Sequence, residues 1–126
     1  MARMQVKDVR IDKNGDAHPR LVPLSEGAGD QVIWSSGDGG VEFEIMFGSP
    51  MGSPFDEPRD YKPKSASHKS RRIKPGASKP KDVPPKFVIP AIFPGGDDYV
   101  RYPYQVEVFH AGEGKPGDDG EVIIDP

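Results

Sequence analysis

The chain has no cysteine, only two leucines and one tryptophan among its 126 residues. The absence of cysteine excludes disulfide bonds, thiolate metal ligands and a cysteine nucleophile. No apolar run approaches the ~20 residues that a membrane-spanning helix needs. Residues 1–5 are followed by charged Lys7, Asp8 and Arg10, where a signal peptide would be apolar. We therefore expect a single domain over residues 1–126, with no membrane span and a cytoplasmic location.

The apolar residues that are present are mostly β-branched, with 11 valines and 8 isoleucines. Such residues suit a pleated strand, whereas leucine favours a helix. Apolar and polar side chains alternate through residues 41–47 and 101–108, as in strands with one buried face. The chain is therefore predicted to be all-β, with about seven strands as in a β-sandwich. The candidate strands are 5–11, 20–24, 31–35, 41–47, 87–93, 101–108 and 121–124.

Residues 48–86 differ in composition from the rest of the chain. They hold only 7 of the 43 hydrophobic residues and are rich in proline, serine and lysine. Such a segment buries too little apolar surface to offset an ordering cost of ~1–2 kcal/mol per residue. We expect one long, mobile loop between two strands, anchored at Phe55. Charge divides near the same boundary, because residues 56–86 carry a net charge of +6 and the remainder carries −9.

Four of the strand segments form a familiar pattern: Val32-Ile33-Trp34, Val41-Glu42-Phe43, Tyr102-Pro103-Tyr104-Gln105-Val106 and Gly120-Glu121-Val122-Ile123-Ile124. This pattern resembles the cupredoxin-like β-sandwich family, and within it small uncharacterised bacterial proteins. The resemblance covers most of the chain outside residues 48–86. It implies a Greek-key sandwich in which the long loop is an insertion between strands.

The resemblance also assigns positions to the blue-copper ligands of that family. The first histidine falls at Gly39 or Gly40, the cysteine at Val106, the second histidine near Phe109 and the axial methionine near Asp118. None of these residues is the required ligand, and a blue-copper centre needs two histidines and a cysteine. The resemblance therefore implies the fold without its usual electron-transfer centre, and we expect no cofactor.

Motifs for catalysis are weak in this chain. Residues 112–117 match the pattern G-x-G-x-x-G, but Pro116 and the acidic turn that follows leave no helix to bind a phosphate. The pattern G-x-S-x-G, the pattern H-E-x-x-H and a phosphate-binding P-loop are all missing from the sequence. We therefore predict that the protein is not an enzyme.

The three histidines, His18, His68 and His110, lie far apart in sequence. We expect each of them to be an ordinary surface or loop histidine. His110 ends a predicted strand shortly before the carboxylates of Asp118 and Asp119, in the loops that carry metal ligands in a cupredoxin-like sandwich. A metal-binding or electron-transfer-related protein that uses His110 and these carboxylates is therefore the alternative function.

The basic loop is the remaining feature with chemical content. Its cations concentrate at Lys69, Arg71, Arg72 and Lys74, which we predict to bind a partner. A cationic run attracts phosphates, anionic lipids or acidic protein surfaces. Aromatic residues for stacking on bases are nearly absent, with only Tyr61 nearby, so we favour an acidic protein partner over nucleic acid.

Two structural alternatives stay open for these surfaces. The basic loop could fold onto the acidic body of its own chain without binding a partner. Residues 41–47 could form an edge strand that pairs two copies into a homodimer, although Glu42 and Glu44 would oppose such pairing. The leading interpretation is a non-enzymatic interaction protein, a copper-free cupredoxin-like sandwich that presents a basic loop.

Overall fold

The computed structural model describes residues 3–37, 40–56 and 60–126. The described residues form ten strands and one short 3₁₀ helix at Pro85–Phe87. No helix among them is long and apolar enough to cross a membrane. The prediction of an all-β chain is confirmed. The strands are β1 (Val6–Ile11), β2 (Ala17–His18), β3 (Leu21–Ser25), β4 (Gln31–Ser36), β5 (Glu42–Phe47), β6 (Tyr61–Ser65), β7 (Ser67–Lys69), β8 (Val88–Ile89), β9 (Tyr99–His110) and β10 (Glu113–Asp125).

The strands form two mixed sheets. The smaller sheet has the order β2-β1-β4-β7, in which β1 and β4 are parallel and the other pairs are antiparallel. The larger sheet has the order β3-β10-β9-β5-β6, in which β3 and β10 are the parallel pair. Strand β8 pairs with the first residues of β9, beside the stretch of β9 that pairs with β5.

The inward-facing side chains of both sheets meet in one hydrophobic core. Trp34 of β4 is fully buried, and its ring lies 5.6 Å from that of Tyr104 in the larger sheet, measured between centroids. The same indole contacts the rings of Phe55 and Tyr61, at 6.2 and 5.1 Å. Burial of one large apolar side chain contributes about 1.5–3 kcal/mol, so these contacts hold the two sheets face to face.

The prediction that residues 48–86 form one unstructured loop is wrong. The segment contains β6 on the edge of the larger sheet and β7 on the edge of the smaller sheet, and the chain passes from one to the other at Ala66. An isolated bridge between Phe55 and Ile73 adds a further pairing. The buried residues of the segment include Phe55, Tyr61, His68, Ser70, Ile73, Ala77 and Ser78. Phe55 is buried, as predicted for an anchor, whereas a low average hydrophobicity concealed the other residues because they are few and widely spaced.

Each of the seven predicted strand segments contains a strand, and β2, β6 and β7 are additional. Several boundaries differ from the prediction. Strand β10 begins at Glu113, eight residues before the predicted segment 121–124, and so includes Asp118 and Asp119, which were predicted to lie in a turn. The segment 87–93 contributes only the two residues of β8, because residues 90–98 leave the sheet as an exposed loop. Strand β5 lies between β9 and β6, so residues 41–47 are not the edge strand that the homodimer alternative required. Gly39, one of the positions compared with copper ligands, lies outside the described residues.

Candidate interaction surfaces

The four predicted partner-binding residues lie together on and after the edge strand β7. We call Lys69, Arg71, Arg72 and Lys74 the basic edge. Lys69, Arg71 and Arg72 are exposed and Lys74 is half-buried, whereas the intervening His68, Ser70 and Ile73 are buried. This alternation turns the cations outward and the remaining side chains toward the core.

Hydrogen bonds fix the backbone beneath the basic edge. Ser70 pairs twice with Val32 of β4: its N–H donates to the Val32 carbonyl at 2.8 Å, and its Oγ accepts from the Val32 N–H at 2.9 Å. The Arg71 N–H donates to the Tyr61 hydroxyl at 3.1 Å, and the Lys74 N–H donates to the Pro54 carbonyl at 2.9 Å. The cations therefore project from a hydrogen-bonded segment.

The charges of the basic edge are unequally available. Arg72 forms an ion pair with Asp56, and this hydrogen bond and the attraction of the carboxylate raise the pKa of Arg72. Lys69, Arg71 and Lys74 form no ion pair with a carboxylate of the residues that the structure describes. Because Lys74 is half-buried, Lys69 and Arg71 are the cations most open to a partner.

Three other lysines of the predicted basic loop lie in two different places. Lys62 and Lys64 are exposed on β6, and the Lys64 ammonium lies 5.0 Å from the centroid of the Phe109 ring. Because β6 belongs to the larger sheet and β7 to the smaller sheet, these two lysines follow a different sheet edge from the basic edge. Lys79 instead borders a cavity of about 370 Å³ together with Asp97 and Asp98. The basic residues that follow one another in the sequence therefore do not all lie on one surface of the fold.

The histidines lie apart, each with its own hydrogen bond. His18 Nε2 is 2.9 Å from Asp12 Oδ2, and this bond is the main reason that the pKa of Asp12 is lowered. His110 Nε2 is 2.9 Å from the Lys13 carbonyl oxygen. The expectation of a surface or loop position is wrong for His68, which is buried in β7 with Nε2 2.7 Å from the Phe43 carbonyl oxygen.

The metal hypothesis gains no cluster of ligands from this arrangement. Over residues 3–37, 40–56 and 60–126, no group of three His, Asp or Glu side chains lies close enough to hold a metal ion. Asp118 and Asp119 are exposed on β10. Val106, at the position compared with the copper-binding cysteine, is buried in the core.

A second surface, at the loop of residues 90–98, escaped the sequence pattern. Ile92 and Phe93 are 88% and 75% exposed at this loop, which borders a cavity of about 320 Å³. Asp97 and Asp125 line the same cavity. A signal was available in the sequence, because Pro90, Pro94 and Gly95-Gly96 are residues that interrupt a strand.

No protein-family model matches the chain, and a search of curated proteins finds no significant similarity.

Proposed function

We propose that the chain is a non-enzymatic interaction protein, a copper-free, cupredoxin-like Greek-key β-sandwich whose basic edge binds an acidic protein surface. The observation that carries the proposal is the alternating burial of residues 68–74. A loop that merely stays solvated needs no buried anchors, whereas here His68, Ser70 and Ile73 hold the intervening cations in place. A pre-ordered segment loses less conformational entropy on binding than a mobile one.

The surroundings of the basic edge favour a protein partner over nucleic acid. Proteins that bind single strands combine cations with aromatic rings on which bases stack. Tyr61, the one aromatic residue that the sequence places nearby, is only 4% exposed and packs against Trp34. Phe109 is half-buried, and Lys64 lies over its ring. The basic edge therefore offers charge with little stacking surface, which suits carboxylates on a protein.

A second explanation of the exposed lysines concerns solubility. Charged residues on edge strands, lysine above all, prevent sheets from pairing edge to edge. That role needs only positive charge along β6 and β7 and would be served by Lys62, Lys64 and Lys69. Arg71 and Arg72 lie beyond the end of β7, where no such protection of a strand is required. Because Arg72 is paired with Asp56, Arg71 is the residue that best distinguishes a binding surface from a protected edge.

The test is a titration with an oligoglutamate peptide, followed through the backbone amide resonances. We expect the largest shifts at residues 69–74, with an affinity that falls as salt screens the charges over a Debye length of ~8 Å. Lys69→Gln combined with Arg71→Gln should abolish the shifts and leave the melting temperature unchanged. The matched control is Lys13→Gln combined with Lys115→Gln, two exposed cations elsewhere. The proposal would be contradicted if oligothymidylate bound more tightly than oligoglutamate, or if the control variant lost the oligoglutamate shifts to the same extent.

A further inference from the structure

The loop of residues 90–98 is held in a defined conformation by its own hydrogen bonds. The Ala91 N–H donates to Asp98 Oδ1 at 2.9 Å and closes the base of the loop. The Gly96 N–H donates to the Phe93 carbonyl at 3.0 Å, and Gly95 has a φ of +81°, which favours glycine. The loop therefore presents Ile92 and Phe93 to solvent in a fixed turn.

The contact of these two large apolar side chains with water is energetically unfavourable while nothing covers them. Among the described residues, the other large hydrophobic side chains that are exposed are Met4, Val6 and Leu21, and none exceeds 52% exposure. Ile92 and Phe93 stand at 88% and 75%. They adjoin the cavity of about 320 Å³ whose apolar walls include Ile89, Pro90 and Ala91. Ligand pockets begin at a volume of ~300 Å³, so this cavity has room for one apolar side chain.

The charge around the cavity is predominantly negative. Asp97 and Asp125 line it, and Asp98 follows directly. Repulsion between the Asp125 carboxylate and the anion that Tyr99 would form, together with burial and the hydrogen bond with Asp125, raises the pKa of Tyr99, so the phenol stays protonated beside that carboxylate. Lys79 is the cation that borders the adjoining cavity with Asp97 and Asp98. The two adjoining cavities are thus bordered by three carboxylates and one lysine, which leaves this surface acidic.

We infer that the cavity and the loop of residues 90–98 form a docking site for a basic segment of a protein partner. One aliphatic or aromatic side chain of that segment enters the cavity against Ile92 and Phe93. A lysine or arginine next to it lies against Asp97 and Asp125. The site is separate from the basic edge and has the opposite charge, so it stands or falls independently of the proposed function.

Charge complementarity selects this occupant over two others. A second copy of the chain docked symmetrically through the loop would bring its Asp97, Asp98 and Asp125 against the same three carboxylates. Like charges in a desolvated contact are unfavourable. An anionic lipid surface would be repelled for the same reason, although the exposed Ile92 and Phe93 would suit its apolar interior. A cationic protein segment satisfies both the apolar and the acidic features.

The experiment uses the full chain and a pentapeptide in which a central leucine is flanked on each side by two lysines. We expect this peptide to shift the amide resonances of residues 89–99. The variants Phe93→Ser and Asp97→Asn should each weaken binding by about fivefold or more, because truncation of a central contact costs over ~1 kcal/mol. The matched controls, Leu21→Ser and Asp118→Asn, replace an exposed apolar and an exposed acidic residue elsewhere and should bind the peptide normally.

Several results would overturn the inference. They are an absence of shifts at residues 89–99, equal binding of the peptide with serine in place of leucine, or equal binding of the peptide with glutamate in place of lysine. Sedimentation that shows a dimer lost in Phe93→Ser would identify a second copy as the occupant instead. Co-sedimentation of the wild-type chain, but not Phe93→Ser, with phosphatidylserine vesicles would identify a membrane. Because Phe93 is exposed, the melting temperature of each variant should match that of the wild type.

Discussion

At the scale of single residues, three tyrosines are buried with their phenols inside the fold. Burial raises the pKa of Tyr61, Tyr102 and Tyr104 to about 12, from the usual 10.0. The Tyr102 hydroxyl donates to the Ala77 carbonyl at 2.6 Å, a bond that ionisation would remove. The folded state is therefore stabilised only while these phenols are neutral.

The alkaline stability of the protein follows from these three residues. A folded-state pKa above the unfolded value contributes stability that is complete below pH 10.0 and is lost as the pH rises toward about 12. We expect the tyrosinate absorbance of the folded chain to stay low beyond pH 10.0 and to rise together with unfolding measured by circular dichroism. Ionisation of three tyrosines near pH 10.0 in a chain that remains folded would contradict their burial.

At the scale of elements, Glu26 joins the connection between β3 and β4 to the turn that follows the basic edge. Its Oε2 accepts from the Gly76 N–H at 2.9 Å, and its Oε1 accepts from the Ser78 N–H at 2.8 Å. Burial alone would raise the pKa of Glu26, but the hydrogen bonds from Ser78 and Gly76 outweigh it, so the pKa is lowered. The ionised carboxylate thus links, through hydrogen bonds, two loops that are distant in sequence.

The replacement Glu26→Gln tests how much the ionised carboxylate contributes to stability. A folded-state pKa below the unfolded value gives stability that is present above pH 4.5 and is lost as the pH falls through the folded value. We expect Glu26→Gln to lower the free energy of unfolding by about 1 kcal/mol at neutral pH, a value reduced for partial exposure. The difference from the wild type should shrink in acid. Urea unfolding of the wild type and Glu26→Gln at neutral and acidic pH measures the loss of unfolding free energy and its change with pH. A loss that is the same at both pH values would contradict the role of the charge.

The elements also show what the sequence could and could not predict. The alternation in β5 and β9 predicted those strands, because their inner faces are apolar throughout. Strands β6 and β7 bury chiefly Tyr61 and His68, and each lies on an edge, so neither has the apolar period of an inner strand. Their pairing depends on contacts distant in sequence, such as Ser70 with Val32, which composition does not encode.

The candidate surfaces differ in the same way. The cations of the basic edge were visible as a charge run, although their buried neighbours were not. The loop of residues 90–98 was predicted as part of a strand, because Ile92 and Phe93 continue an apolar stretch. Only the fold shows that both side chains face solvent and that Asp125, at the end of β10, lies beside them.

At the scale of the whole molecule, the segment from β6 to β7 connects the two sheets. His68 belongs to the smaller sheet, yet its Nε2 hydrogen-bonds to the Phe43 carbonyl of the larger sheet at 2.7 Å. Its ring also packs against Phe43 and Tyr61, with centroids 5.0 and 6.1 Å apart. The two sheets therefore share a polar contact in addition to the hydrophobic core, and we expect them to unfold as one cooperative unit.

Hydrogen exchange of the full chain, compared between His68→Ala and Lys69→Ala, tests this cooperativity. Loss of the buried ring and its hydrogen bond should lower the free energy of unfolding by about 2–4 kcal/mol. The loss should appear equally at amides of both sheets, such as Ser70 beside β4 and Val106 in β9. The control replacement Lys69→Ala, at an exposed neighbouring position, should change the free energy of unfolding by no more than ~0.5 kcal/mol. Faster exchange confined to residues 61–74 in His68→Ala would show instead that this segment opens independently, as a loop attached to an otherwise complete pair of sheets.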